Sequence, residues 1–117
     1  GKRVWIGEYG YPFGRNPGNV DPNTPAEQDL FARNVMRVGL EWGAPFILWW
    51  EMYNNEVKDG RQLGFWLIDD KGATQPIYHT HYNFYQQGKA YVAKFLKNNG
   101  RVPKNDEIRS AAVKWLE

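Results

Sequence analysis

Residues 45–50 read Pro45-Phe46-Ile47-Leu48-Trp49-Trp50, and the polar segment Glu51-Met52-Tyr53-Asn54-Asn55-Glu56 follows at once. The run is apolar without alternation. A strand with one face in water alternates apolar and polar residues, whereas a strand covered on both faces by helices reads as a continuous apolar run. The stretch therefore predicts a doubly buried strand of a parallel sheet. Its C-terminal end falls at Trp50-Glu51.

Working outward toward the N-terminus, Thr24-Pro25-Ala26-Glu27 has the chemistry of a helix start. Thr24 suits the N-cap, Pro25 suits the first helical position, and Glu27 completes a capping box. Phe31, Val35, Val38 and Trp42 recur at helical spacing as one apolar stripe, and Gly43 suits the stop. A helix is predicted over residues 25–42. Gly39 inside it costs about 1 kcal/mol against alanine, which marks a point of close packing. Before the helix, residues 10–23 are rich in glycine and proline and predict a loop of a length typical of functional loops. Before the loop, Val4-Trp5-Ile6 predicts a first buried strand that stops at Gly7, with Glu8 at its end.

Toward the C-terminus, Phe65-Trp66-Leu67-Ile68 reads as an extended segment closed by the turn Asp69-Asp70-Lys71-Gly72. Tyr78, Tyr82, Tyr85, Val92 and Phe95 follow a helical rhythm with Gly88 on the same face. They predict a second helix over residues 77–98, ended by Gly100. A third helix is predicted from Asp106 to Leu116, capped by Asn105, with Ile108, Ala112 and Trp115 inward. The order strand, loop, helix, strand, loop, helix implies a parallel α/β architecture. Two strands alone do not make a stable parallel sheet, because each needs neighbours. The expectation is a portion of a larger barrel or sheet, or a sheet completed by partners. Residues 1–100 are read as one βαβα portion and residues 101–117 as an added helix. Gly1 stands directly ahead of a strand, which leads to the expectation of a chain cut from something longer.

Composition narrows the function classes. With 117 residues the chain is one small domain or less. It is 42% hydrophobic and 24% charged, a globular balance. A net charge of +2 makes no electrostatic case for nucleic acid or an anionic membrane. No cysteine is present, so disulfide scaffolds, thiolate zinc sites and cysteine nucleophiles are excluded. No apolar run approaches the roughly 18–20 residues of a membrane helix. The aromatic content is the unusual figure: 6 Trp, 7 Tyr and 6 Phe. Aromatic rings build cores, and they also stack on bases and sugar rings.

In a (β/α)8 barrel the catalytic residues sit at the C-terminal ends of the strands. Glu8 ends the first predicted strand and Trp50-Glu51 ends the second. A carboxylate beside an indole face is the chemistry of a sugar site. The carboxylate attacks or steadies an anomeric carbon, and the indole stacks on the apolar face of a pyranose.

These residues carry a resemblance. Trp5-Ile6-Gly7-Glu8-Tyr9-Gly10 resembles the seventh-strand motif of clan A glycoside hydrolases. Ile47-Leu48-Trp49-Trp50-Glu51-Met52 resembles their eighth strand, which ends in a sugar-stacking tryptophan. Gly64-Phe65-Trp66-Leu67-Ile68-Asp69 and Pro76-Ile77-Tyr78 are similar to the segment leading into the last barrel helix. The likeness is to family 5-like, cellulase-type enzymes and spans roughly residues 2–98. It implies the C-terminal quarter of a (β/α)8 TIM barrel, its last two βα units, plus a C-terminal helix. It also implies a retaining hydrolase of β-linked glycosides or polysaccharides that needs no cofactor and no metal. Glu8 would be the nucleophile and Trp50 the sugar platform, with Trp49 its competitor because neighbouring strand residues point to opposite sides. Glu51, Asn54 and Glu56 would lie near the mouth. The acid/base of such enzymes comes from the end of a fourth strand, and this sequence shows no such strand. The implied partners are an oligosaccharide or polysaccharide and the missing barrel portion, or a second copy pairing through exposed strand edges. Secretion or a periplasmic site follows from the resemblance alone.

The residues themselves leave alternatives open. Tyr9 and Tyr11 line the cleft or pack. His79 and His81 share a face only if extended, since positions two apart on a helix diverge. Asp69-Asp70 reads as a turn. The competing function is a small non-catalytic module that binds carbohydrate or a protein through exposed aromatic rings.

Overall fold

The computed structural model describes residues 3–12, 24–53 and 55–117. Strand β1 is Ile6–Tyr9, helix α1 is Pro25–Trp42, and strand β2 is Ile47–Trp49. The two strands pair in parallel, with Ile6 opposite Ile47 and Tyr9 opposite Trp49. Three steps along β1 thus match two along β2, which is a bulge. Its consequence is side-chain direction: Ile6 and Tyr9 both face the helices, although strict alternation would separate them. The side chains of Ile6 and Ile47 reach Gly39 of α1, while Tyr9 and Trp49 pack against Ala32, Leu67 and Ile77. The first strand therefore starts later than the apolar run predicted and continues past Gly7 to Tyr9. Backbone pairing does not depend on Gly7 lacking a side chain.

The α1 capping box forms as expected. Thr24 Oγ1 accepts from Glu27 N at 3.1 Å, and Glu27 Oε2 accepts from Thr24 N at 2.6 Å. Gly43 ends the helix with φ 86°, a backbone only glycine adopts freely. The buried face differs from the predicted stripe. It consists of Gln28, Asp29, Ala32, Met36 and Gly39, whereas Val38 is 63% and Trp42 64% exposed. Small residues at 32 and 39 let the helix come close to the sheet, and Gln28 and Asp29 are accepted inside because hydrogen bonds hold them. Val38 and Trp42 rotate outward, while Met36 is buried and Phe31 packs on the rings of Tyr9 and Tyr11.

After β2 comes a short antiparallel hairpin, β3 (Val57–Lys58) and β4 (Arg61–Gln62). Its turn residues Asp59 and Gly60 both have positive φ, 52° and 72°. Residues 65–68 then run beside the end of β2. Glu51 N donates to Phe65 O at 3.0 Å, and Leu67 N donates to Met52 O at 3.1 Å. The Asp69 turn closes as predicted: its Oδ1 accepts from the backbone of Lys71 and Ala73.

Helix α2 is Pro76–Asn99, ended by Gly100 with φ 66°. Its inner row runs through Ile77, Thr80, Phe84, Gly88, Tyr91 and Phe95. Tyr82 and Tyr85 lie off this row, 50% and 59% exposed, contrary to the predicted tyrosine stripe. The third helix is α3, Asn105–Ala112, followed by a single 3-10 turn, Val113–Leu116. Asn105 lies inside the first turn and Lys104 takes the cap position. Trp115 lies on the rings of Phe84 and Tyr91, at 5.3 and 5.7 Å, and against Gly88.

The architecture is α/β, with α1 and α2 packed together on one side of the β1–β2 pair. The expected double burial of β2 is not met. Phe46 and Leu48 are 44% and 51% exposed, and Trp5, 54% exposed, lies 5.3 Å from Phe46. One face of the sheet is covered by helices, and the other carries exposed aromatic and aliphatic side chains.

Candidate site at the strand ends

Gly10 fixes the approach of the two strand ends. A Cβ at this position would meet Trp50 O at 2.7 Å and the Phe65 ring at 2.8 Å. Trp50 N donates to Tyr9 O at 2.8 Å, so the ladder continues past β2 and keeps both ends level. Gln28, fully buried on α1, donates through Nε2 to Tyr11 O at 2.7 Å and to Gly64 O at 2.9 Å. One helix side chain thus ties down the segment leaving β1 and the segment approaching from the hairpin.

The predicted site residues divide between two faces. Tyr9 and Trp49 pack on the helix side, their rings edge to face at 5.1 Å. Trp49 Nε1 donates to Phe65 O at 2.9 Å. The Tyr9 hydroxyl is buried without a hydrogen-bond partner among the described residues, and burial raises its pKa far above the usual tyrosine range. These two rings are packing elements here. Their strand neighbours Glu8 and Trp50 are exposed, as alternation requires. Trp50 Nε1 donates to Glu56 Oε1 at 2.8 Å. Glu51 accepts from Asn55 N at 3.3 Å, a local turn contact. Asn54 lies outside the described residues, as does most of the predicted loop, residues 13–23. Tyr11 packs on Phe31, with ring centroids 4.9 Å apart.

His79 and His81 go separate ways. His79 Nε2 pairs with Thr74 Oγ1 at 3.1 Å, and His81 Nδ1 pairs with Ile77 O at 2.8 Å. Burial lowers the His81 pKa, opposed by the Ile77 carbonyl and the Asp29 carboxylate. Asp29 itself accepts from Thr80 Oγ1 at 2.5 Å and from Arg33 Nε at 2.9 Å, joining α1 to α2. Among the described residues no group of three His, Cys, Asp or Glu is placed to hold a metal ion.

Two contributors were not found from sequence. Gln28 carries no pattern signal, being a polar residue in a first helical turn. The hairpin did have one, because Asp59-Gly60 is a favoured dipeptide for a two-residue turn with positive φ at both positions.

Compared with known proteins, the chain matches no family model, no curated protein and no solved structure.

Proposed function

We propose that this chain supplies the nucleophile and the sugar platform of a retaining glycoside hydrolase acting on β-linked glycosides. In this reading it forms the last two βα units of a (β/α)8 barrel. One observation carries the reading: at the ends of two adjacent parallel strands, Tyr9 and Trp49 face the helices while Glu8 and Trp50 are exposed. In a barrel that second direction is the interior, and strand C-terminal ends are where its chemistry occurs. Lower on the same side, Trp5, Phe46 and Leu48 are the bulky residues that fill barrel layers.

Glu8 forms a bond to the anomeric carbon as the leaving oxygen departs with the bonding pair, giving a glycosyl-enzyme. Trp50 holds the ring by stacking. The acid that protonates an ordinary leaving group is contributed from another strand end.

A substrate whose leaving group needs no proton isolates the part assigned to this chain. With 2,4-dinitrophenyl 2-deoxy-2-fluoro-β-glucoside, dinitrophenolate leaves unprotonated and the fluorosugar stays on the carboxylate. The expected result is release of one equivalent of dinitrophenolate, with the label mapped to Glu8 by peptide mass spectrometry. Glu8→Gln removes both. Absence of labelling, or a label at another residue, overturns the assignment. Reversible oligosaccharide binding without labelling favours the non-catalytic module.

A further inference from the structure

The hydrogen bond from Trp50 Nε1 to Glu56 Oε1, 2.8 Å, joins the exposed indole to the root of the β3–β4 hairpin. Glu56 is held from its other end as well, since its carbonyl accepts from Leu63 N at 3.0 Å and so closes the hairpin. The hairpin is itself specified locally, by Asp59 and Gly60 at positive φ. Trp50 and Glu56 are six positions apart in the chain, and Glu56 stands directly before the first strand of the hairpin.

The bond matters more for geometry than for stability. Trp50 is 36% exposed, and its ring is not clamped in the helix-side cluster that holds Trp49. An exposed indole on a strand end turns about χ1 and χ2. An N–H···O⁻ bond from its edge selects one orientation. Charge-assisted bonds of this kind are short and directional.

We infer that Glu56 is a positioning residue for ligand binding: its carboxylate fixes the Trp50 ring as a stacking surface, and the β3–β4 hairpin holds that carboxylate in place. The inference rests on the proposed carbohydrate site, and it adds a residue and an element to it. It makes ring orientation depend on the hairpin.

Two-dimensional NMR on the whole chain tests it, with cellotetraose as the probe. Trp50→Phe assigns the Trp50 Nε1–H cross-peak. In Glu56→Ala that peak shifts and exchanges faster with water, and cellotetraose affinity falls about 5- to 10-fold, the cost of ordering the freed ring on binding. Glu56→Gln, whose amide oxygen still accepts from Nε1–H, restores most of the affinity and keeps the peak slow to exchange. A merely structural role would move the indole peak and leave the cellotetraose affinity unchanged. The inference is overturned if Trp50→Ala weakens binding while Glu56→Ala does not, or if the indole peak is the same in Glu56→Ala. If the unmodified chain shows no cellotetraose shifts, the carbohydrate reading fails and this role for Glu56 fails with it.

Discussion

Gly39 is the residue on which the sheet-to-helix distance depends. A Cβ there would run into Ile47 Cδ1, with Ile47 Cγ1 at 3.0 Å and Ile6 Cδ1 at 3.5 Å. Two effects oppose one another in Gly39→Ala. Helix propensity gains about 1 kcal/mol, and overpacking costs about 1–3 kcal/mol. Overpacking wins, because the contact is with a β-branched side chain already confined between strand and helix. Gly39→Ala is expected to destabilise the fold by up to about 2 kcal/mol in urea unfolding. Ile47→Val, which removes the offending methyl, is expected to recover most of that in the double variant. Additive single effects would refute the contact. The same residue shows what sequence conveys at this scale. A glycine inside a helix announced close packing, and Gly39 has it. Tyr9 and Trp49 were ambiguous because alternation alone does not say which side is which, and the bulge that re-aims Tyr9 leaves no mark in composition.

The short C-terminal helix is held by its first turn. Arg101 forks onto both oxygens of Glu107 at 2.9 Å, and Lys104 N donates to the same carboxylate at 2.7 Å. These bonds, the Arg101 fork foremost, hold the Glu107 pKa at about 2, below its ordinary 4.5. The folded state thus binds the proton less readily than the unfolded state. The stabilisation is fully present above about pH 4.5 and is lost as the pH falls toward 2. Carboxyl-detected NMR titration is expected to find Glu107 still ionised at pH 3, and Glu107→Gln to remove this part of the acid dependence. A midpoint near 4.5 would refute the pairing. Element existence was largely legible: Thr24, Pro25, Glu27, Gly43 and Gly100 are punctuation with a local mechanism. Element faces were less so. The stripes through Val38 and Trp42, and through Tyr82 and Tyr85, were drawn by hydrophobicity, but small residues and hydrogen-bonded polar ones chose the buried side. Gln28 reaches Tyr11 and Gly64, contacts far along the chain that no local window contains.

For the molecule as a whole, the open face of the β1–β2 pair carries Trp5, Phe46, Leu48 and Trp50, each between 36% and 54% exposed. Much of the apolar exposure lies on the open face of the sheet, with Leu48 at its centre in β2 between Phe46 and Trp50. An apolar surface on a sheet of only two strands among the described residues favours association. Sedimentation velocity is therefore expected to show concentration-dependent self-association of the chain alone. Leu48→Lys is expected to shift it toward monomer. Because Leu48 is 51% exposed in the folded chain, the same change is expected to move unfolding stability by no more than about 0.5 kcal/mol. The two readouts separate an open face from a covered one. If Leu48→Lys instead costs several kcal/mol while the chain stays monomeric, the face is buried within the monomer. The barrel reading would then lose its surface for neighbouring strands. If association falls while stability holds, the apolar run at residues 45–50 is written for strands and layers that lie beyond these two.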